Sequence, residues 1–341
     1  MSRSAALHIP TSCNDFVIHT DMHTDTADSR TLHELRAASY EAVRRAHAPY
    51  VDETTGLFDA TFTEQRRCPV CDGDAHRVLF RKSGGLYVKC RGCGMVFTNP
   101  VFTKAALHRY YVSLDVDHAG NLEREQAFFR RIYGGGLERI APHAAGCRLL
   151  DIGCSSGFFL DMARAAGFET HGLELNSTDV ALARARGHSV QECGIEATGT
   201  DDHYAVITMW DVFEHIPDPQ PFLDCVMARL APQGILFLQV PNSGALAPQV
   251  LHERCNMFDG LEHVCLYDPA TIRHLVTSRG ERLLDIGSVI PELYAVRNHL
   301  AYDDAYMPDI VAPAHALFQH LSEAQVLAAL LGYKLQVVIG K

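Results

Sequence analysis

The chain has 341 residues, of which 47% are hydrophobic and 21% are charged. This balance is typical of a globular protein with one large domain or two ordinary ones. The formal net charge of -11, from 30 basic and 41 acidic residues, disfavours partners that attract proteins through phosphate backbones or anionic lipid. No apolar run approaches the roughly 18 residues of a membrane span, and residues 1–23 lack the apolar segment of a signal peptide. We therefore expect a cytoplasmic protein without a membrane partner.

Residues 1–60 are interpreted as an N-terminal extension that is only partly helical. One helix is predicted to begin at Thr31, because Thr31 and Glu34 can satisfy each other's backbone amides in a capping box. This helix would extend to Arg44 or Arg45. The segment shows no strand pattern, so it predicts an appendage rather than a separate domain.

Residues 61–100 contain two closely spaced cysteine pairs. The pair Cys68 and Cys71 is followed, after eighteen residues, by the pair Cys90 and Cys93. In a reducing compartment this spacing predicts a tetrathiolate zinc site, which is structural because four thiolates leave no open position. Alternating stretches around Ser83-Gly84-Gly85 predict a small hairpin. Because such a module cannot bury a core of its own, we expect the metal to replace that core.

Residues 101–145 predict a helical linker or lid that is broken at 134–136. From 146 to 341 strands alternate with helices, apart from an insertion at about 289–334. Ser177 is expected to cap one helix, and Asp268 with Pro269 to open another. Alternation of this kind predicts an α/β fold with a doubly wound parallel sheet. Its strands are expected at 148–151, 170–175, 188–191, 205–209, 234–240, 282–287 and 335–339.

A glycine-containing loop follows the first of these strands, in the string Asp151-Ile-Gly153-Cys-Ser155-Ser-Gly157. In such sheets ligands bind beyond the carboxyl ends of the strands, where glycine lets the backbone approach them closely. Glu174 ends the second strand, and a carboxylate at that point can accept hydrogen bonds from both hydroxyls of a ribose. The loop and the acid together predict an adenosyl ligand.

Two common nucleotide ligands are disfavoured by the same loop. A dinucleotide fingerprint needs G-x-G-x-x-G, but Ser155 and Phe158 stand at its second and third glycine positions. Phe158 would obstruct the close contact between helix and strand that the third glycine permits. No GxxxxGK[ST] loop for a nucleoside triphosphate is present either.

The string D-I-G-C-S-S-G-F-F resembles motif I of the class I S-adenosylmethionine-dependent methyltransferases, with Ser155 in place of the middle glycine. The resemblance continues at 172–176, 210–219, 239–242 and 262–267. With the cysteine module upstream, the chain is similar from about 61 to 341 to a bacterial group that includes deoxysugar C-methyltransferases and natural-product O-methyltransferases. This resemblance implies a Rossmann-like seven-stranded methyltransferase sheet, a small N-terminal zinc ribbon, and S-adenosyl-L-methionine as cofactor.

The resemblance also assigns roles to individual residues. Asp151 and Gly153 would lie beside the methionine portion of the cofactor, and Glu174 would hold its ribose. The segment 193–195 would flank the adenine, and Trp210 with Asp211 would face the transferred methyl group. The complete set expected to contact the cofactor is Asp151, Gly153, Ser155, Gly157, Phe158, Glu174, Leu175, Gly194, Ile195, Trp210, Asp211 and Tyr111.

Glu262 and His263 are the predicted catalytic pair. They resemble the Glu-His dyad of the deoxysugar C-methyltransferases, in which the histidine is the proposed base, and histidine titrates near neutrality. A rival is His215: with Asp211 and Glu214 it resembles the acid-x-x-Glu-His stretch of ubiquinone-pathway O-methyltransferases, where these residue types hold a divalent metal. The preferred interpretation of His215 is that it caps or packs a short helix before Pro217.

Three functions stay open from the sequence. The preferred one is methyl transfer to oxygen or carbon of a small molecule in natural-product, sugar or cofactor biosynthesis. The second is an RNA methyltransferase that uses the zinc ribbon as its reader. We disfavour it because the chain is acidic and because 209–212 read Met-Trp-Asp-Val, without the Pro-Pro-aromatic string of nucleobase methyltransferases. The third is a noncatalytic zinc-ribbon interaction protein. The oligomeric state cannot be deduced from the sequence.

Overall fold

The computed structural model describes residues 7–9, 16–18, 42–43, 45–113, 125–199, 202–299 and 320–341. Most of the extension 1–60, including residues 31–41 of the helix predicted from Thr31, lies outside the described residues. Residues 7–9 and 16–18 pair as antiparallel strands, so the expectation that this segment has no strands was wrong. The strands, in chain order, are β1 (Leu7–Ile9), β2 (Phe16–Ile18), β3 (Thr63–Glu64), β4 (His76–Lys82), β5 (Gly85–Cys90), β6 (Val96–Thr98), β7 (Val101–Phe102), β8 (Arg148–Ile152), β9 (Glu169–Glu174), β10 (Ser189–Glu192), β11 (Tyr204–Trp210), β12 (Leu230–Pro241), β13 (Cys265–Leu266), β14 (Arg282–Val289) and β15 (Lys334–Gly340).

Helices alternate with these strands in the C-terminal part of the chain. Among the described residues, no helix is both long enough and apolar enough to cross a bilayer. The α-helices are α1 (Lys104–Ser113), α2 (Gln126–Ile140), α3 (Phe158–Ala165), α4 (Ser177–Ala185), α5 (Pro219–Ala228), α6 (Leu246–Leu251), α7 (Pro269–Ser278), α8 (Leu293–Asn298) and α9 (Glu323–Ala328).

The predicted seven-stranded sheet is confirmed, with the strand order β10-β9-β8-β11-β12-β15-β14. The sheet is mixed rather than parallel, because β15 runs antiparallel to both of its neighbours. The expectation of a purely parallel sheet was therefore wrong. The segment that became β15 is apolar and buried along most of its length, and a strand buried on both faces has the same apolar pattern in either direction.

The helix starts follow local capping chemistry. Asp268 caps α7, as predicted, and it also forms a capping box with Thr271, which was not predicted. The cap of α4 is Asn176 rather than Ser177, because the Asn176 side chain accepts hydrogen bonds from the amides of Thr178 and Asp179. An asparagine oxygen satisfies these free amides as well as a serine would.

Helix α2 continues through the glycines at 134–136, where a break was predicted. Gly136 explains the error: a Cβ atom there would lie 2.2 Å from Cη2 of Trp210 and 3.0 Å from Cζ of Phe237. This glycine lets the helix approach the aromatic layer on the sheet. At Gly135 a Cβ would meet nothing within 4 Å.

These two glycines supply a matched pair of variants. We expect Gly136→Ala to destabilise the protein by about 1–3 kcal/mol, because a well-packed core must shift to admit the methyl group. Gly135→Ala should instead stabilise it, by up to about 1 kcal/mol, through higher helix propensity. Urea unfolding of both variants measures the two changes in the free energy of unfolding. Equal effects at the two positions would contradict the close contact with Trp210.

The cysteine module forms a four-stranded antiparallel sheet with the order β13-β6-β5-β4. The predicted hairpin is confirmed as β4 and β5. The strand β13 comes from the C-terminal part of the chain, and buried residues of the module such as Val88 and Phe97 belong to the same core cluster as Leu236 in β12. The module thus has an apolar core, which it shares with the large sheet, so the expectation that metal must replace a core was wrong.

Candidate functional site

The loop after β8 has the backbone of a close-approach turn. Gly153, Ser155 and Gly157 have φ angles of 76°, 46° and 84°, the left-handed region that glycine adopts without strain. A Cβ at Gly153 would lie 2.6 Å from Cγ2 of Val212. Ser155 stands where motif I usually has glycine. It adopts the same left-handed conformation although it is not a glycine.

Glu174 is held against this loop. Its Oε2 accepts a hydrogen bond from the amide of Ser155 at 2.9 Å, and its Oε1 accepts from the amides of Leu175 at 2.7 Å and Asn176 at 2.9 Å. These donors fix the carboxylate at the loop and leave lone-pair capacity for an incoming hydroxyl group. The structure therefore brings together the acid and the turn that the sequence paired.

Leu175 is 75% exposed, one of the few large apolar side chains so exposed among the described residues. It directly follows Glu174 at the carboxyl end of β9. An exposed apolar side chain beside a carboxylate has the chemistry that would suit an adenine face and a ribose, the ligand groups predicted for this edge of the sheet.

Asp151 lies under the loop and is 2% exposed. Its Oδ1 accepts a hydrogen bond from Oγ1 of Thr208 at 2.7 Å. Burial raises the pKa of the Asp151 carboxyl from 3.8 to about 8, and the negative charge of Glu174 adds to this rise. At neutral pH the folded protein thus holds a proton that the unfolded chain releases.

The raised pKa of Asp151 predicts a pH-dependent stability. Below about pH 4 both folded and unfolded states keep the proton, and between pH 4 and 8 only the folded state does. The contribution of Asp151 to stability is therefore lost as the pH rises toward 8. We expect the Tm difference between Asp151→Asn and the natural protein to grow with pH over this window. Asp202→Asn, at a surface ion pair with Arg148, is the control, and a difference that stays constant with pH would contradict the assignment.

The other residues predicted to contact the cofactor differ in their burial and in their neighbours. Gly194 is half-buried beside Ile195, whose side chain is fully buried in the core. Phe158 packs against α2, with the Arg130 guanidinium 5.0 Å from its ring centre. Tyr111 belongs to α1, but its side chain lies outside the described residues.

Trp210 is the last residue of β11 and Asp211 follows it, and their side chains lie in different surroundings. The Trp210 ring is buried beneath α2, 4.6 Å from the ring centres of Tyr133 and Phe237, so the structure places it in the core. Asp211 has a φ of 57°, and its Oδ2 accepts hydrogen bonds from Gln239, at 3.1 Å, and from the ammonium of Lys334. Its carboxylate is thus held by a cation within the protein.

The side chains of the predicted pair, Glu262 and His263, have different hydrogen-bond partners. Oε1 of Glu262 accepts a hydrogen bond from the hydroxyl of Tyr110 at 2.6 Å. The carboxylate that faces His263 is Asp259, whose Oδ2 lies 3.2 Å from Nδ1 of the imidazole. The same Nδ1 lies 2.8 Å from the carbonyl oxygen of Met257. Two acceptors at Nδ1 fix the proton there and leave Nε2 of neutral His263 as an acceptor.

Asp259 was missed by the sequence reasoning. Its Oδ1 accepts hydrogen bonds from the amides of three successive residues at 2.9–3.1 Å, which aims the carboxylate at the imidazole. The spacing Asp-x-x-x-His was the available signal. Burial lowers the pKa of His263, but the charges of Asp259 and Glu214 outweigh this effect and raise it above its usual value.

Glu214 and His215 lie opposite His263. They end a short 3-10 turn, Phe213–His215, so the predicted short helix is present. The rings of His215 and His263 are 5.0 Å apart, and Nε2 of His215 lies 4.0 Å from Oε1 of Glu214. Burial, followed by the charge of Asp211, raises the pKa of the Glu214 carboxyl to about 8. Three residues with metal-ligand chemistry thus meet near the carboxyl end of β11.

The four module cysteines converge as predicted. The Sγ atoms of Cys68 and Cys93 are 3.5 Å apart, as are those of Cys71 and Cys90, and all four lie within 4.8 Å of one another. A tetrahedral zinc ion with Zn–S bonds of about 2.3 Å places its sulfurs about 3.8 Å apart. The donor set and its spacing therefore fit one structural zinc ion.

Comparison with known proteins identifies one part of the chain. Residues 124–286 match the family model for a methyltransferase domain. A ubiquinone biosynthesis O-methyltransferase of Bordetella bronchiseptica is 28% identical over 119 residues, which are 32% of this chain and 48% of that protein. The protein of the same name from Xanthomonas oryzae pv. oryzae is 30% identical over 109 residues, 29% of this chain and 44% of that protein.

A solved structure of an S-adenosylmethionine-dependent methyltransferase from Mesorhizobium loti aligns with 61% of this chain and 97% of its own, at 16% identity and a TM-score of 0.43. The chain spans about half the length of the curated relatives it matches. The matched segment carries the glycine loop, Glu174 and the end of β11. The segment 124–286 is therefore similar to a methyltransferase domain.

Proposed function

We propose that the protein transfers a methyl group from S-adenosylmethionine to an oxygen or carbon atom of a small molecule. The observation that carries this proposal is the contact between Glu174 and the amide of Ser155, which joins a ribose-binding acid to the glycine loop. The names of the matched relatives favour oxygen as the acceptor atom.

In this proposal, different residues along one edge of the large sheet bind the cofactor and control the methyl acceptor. In this proposal, Glu174 holds the ribose, Leu175 covers the adenine and the loop backbone admits the methionine portion beside Asp151. S-adenosylmethionine supplies an already activated methyl group, so the protein mainly has to align donor and acceptor. Such positioning is worth about 7–11 kcal/mol. His263 controls the loss of the acceptor's proton, and Asp259 positions its imidazole.

The zinc ion is proposed as a structural support for this acceptor end. The guanidinium of Arg66, within the module, donates hydrogen bonds to the carbonyl oxygens of Thr98, Pro217 and Val264 at 3.1, 2.8 and 2.6 Å. The segment after His263 is thereby tied to the module. Because Arg66 is committed to these carbonyls, it is not available to bind phosphate, which weighs against RNA as the acceptor.

Titration calorimetry of the purified protein with S-adenosylmethionine and S-adenosylhomocysteine tests the proposal. We expect one site per chain for either compound. A folded protein that binds neither would overturn both the small-molecule and the RNA methyltransferase functions and favour a noncatalytic interaction protein. A tight, specific complex with RNA at physiological salt would overturn the small-molecule acceptor alone.

A further inference from the structure

We propose that Glu214, His215 and His263 together bind one divalent transition-metal ion at the acceptor end of the site. The inference deepens the proposed methyl transfer and rests on it. Each of the three residues offers one ligand atom, and these atoms lie within 4.8 Å of one another. Two of the ligands adjoin in the turn after β11, and the third arrives from the segment before β13.

The first support is a buried carboxylate that lacks partners. Glu214 is 1% exposed, and neither of its carboxylate oxygens has a hydrogen-bond partner among the residues that the structure describes. Nδ1 of His215 is likewise buried without one in the described part of the chain. A buried, unsatisfied polar group costs about 1–3 kcal/mol, and more when charged. A cation at this point would satisfy these groups.

The second support is the orientation of His263. Asp259 and the carbonyl of Met257 both lie at its Nδ1, which leaves Nε2 free to serve as the ligand atom. A metal-binding histidine almost always donates its other N–H to a carboxylate or a backbone carbonyl, which fixes the ring. In this protein a carboxylate, from Asp259, and a backbone carbonyl, from Met257, both lie at Nδ1 of His263.

The third support concerns which metal fits. Asp211 would be the further acid of an acid-x-x-Glu-His set, but its Oδ2 is engaged by Lys334 and Gln239, and Asp211 does not belong to the group of ligand atoms that lie within 4.8 Å of one another. His263 takes the third place instead, so the donor set is two imidazoles and one carboxylate. Imidazole suits zinc, iron, copper and nickel, whereas magnesium prefers oxygen ligands alone. We therefore infer a transition metal rather than magnesium.

This site also narrows the class of acceptor. A divalent cation lowers the pKa of a bound hydroxyl, so the acceptor would carry a hydroxyl group able to bind the ion. His263 would then control deprotonation as a ligand rather than as a base. The carboxylate of Asp259 would be a positioning group in either role.

Visible absorption of Co²⁺ added to the zinc-loaded protein tests the inference. Co²⁺ binds nitrogen ligands but lies below Zn²⁺ in the divalent series, so it will not displace zinc from four thiolates. We expect about one bound Co²⁺ per chain. Glu214→Gln and His263→Ala should each weaken binding at least 10-fold, and Asp259→Asn by about 10–100-fold. His274→Ala, an exposed histidine on α7, should leave binding unchanged.

Calorimetry with S-adenosylmethionine on the same samples separates the two proposals. If the natural protein binds the cofactor but no Co²⁺, the metal site is overturned and the methyltransferase function stands. Equal Co²⁺ binding by the natural protein, Glu214→Gln and His263→Ala also overturns it. If the cofactor itself does not bind, the proposed function fails whatever the metal result.

Discussion

Glu174→Ala is expected to weaken the binding of S-adenosylmethionine by about 100-fold. The carboxylate has one lone-pair site left for a ribose hydroxyl beside its three backbone amides, and a hydrogen bond to a charged group contributes about 1.5–3 kcal/mol. The substitution also leaves the amides of Ser155, Leu175 and Asn176 without their acceptor. The loop would therefore lose its anchor to β9 as well as its ribose ligand. Titration calorimetry measures the change in Kd.

Two variants make this experiment specific. Glu174→Gln keeps the shape and one carbonyl oxygen, so we expect a smaller loss of affinity than for alanine. Glu169→Ala removes an exposed carboxylate at the opposite end of the same strand and should leave the affinity unchanged. If Glu174→Ala bound the cofactor normally, Glu174 would have no part in holding the ribose.

Loss of the proposed zinc ion is expected to abolish the proposed methyl transfer while cofactor binding persists. Cys71→Ser removes one thiolate of the four-cysteine site, and structural zinc contributes folding energy directly. We expect the zinc content to fall from about one per chain to near zero. A loss of about 4 kcal/mol would lower the Tm by roughly 10 °C, at 2–4 °C per kcal/mol for a domain of 150–250 residues.

We expect turnover to be lost and cofactor binding to be kept because, in the described part of the chain, the sheet of the cysteine module contacts the segment next to His263 and not the loop at Glu174. The amide of Thr98 in β6 donates to the carbonyl of Val264 at 3.1 Å, next to His263, whereas Glu174 and its loop belong to the large sheet. Zinc analysis, thermal unfolding, calorimetry and turnover measure the four quantities. Cys225→Ser, a half-buried cysteine outside the cluster, is the matched control. A zinc-free Cys71→Ser protein with unchanged Tm would contradict the structural role.

Patterns within single segments were predictable, because they depend on local chemistry. Most strands of the large sheet contain a short apolar run, and the helix start at Asp268 and Pro269 is readable from neighbouring residues. The approach of Glu174 to the loop was predictable too, because the carboxyl ends of β8 and β9 share one edge. These features need only the rule that parallel strands end together.

Features that depend on distant contacts were not predictable. The direction of β15 and the shared core of the cysteine module follow from long-range pairing, on which an apolar run carries no information. From the sequence alone, Gly136 predicts a break in the helix. The structure shows that a glycine is needed there because Trp210 lies beside it. Asp259 was missed because the sequence reasoning paired His263 with its neighbour Glu262. In the structure the Glu262 side chain contacts Tyr110 instead.

The pairing of β13 with β6 has a consequence for any shortened version of the protein. A chain that began after residue 100 would leave Cys265 and Leu266 as an uncovered strand edge, and the apolar neighbours of Phe97 would face water. Exposed apolar surface of this kind favours association with other chains. The cysteine module is therefore an integral part of the fold, and we expect a protein shortened in this way to aggregate.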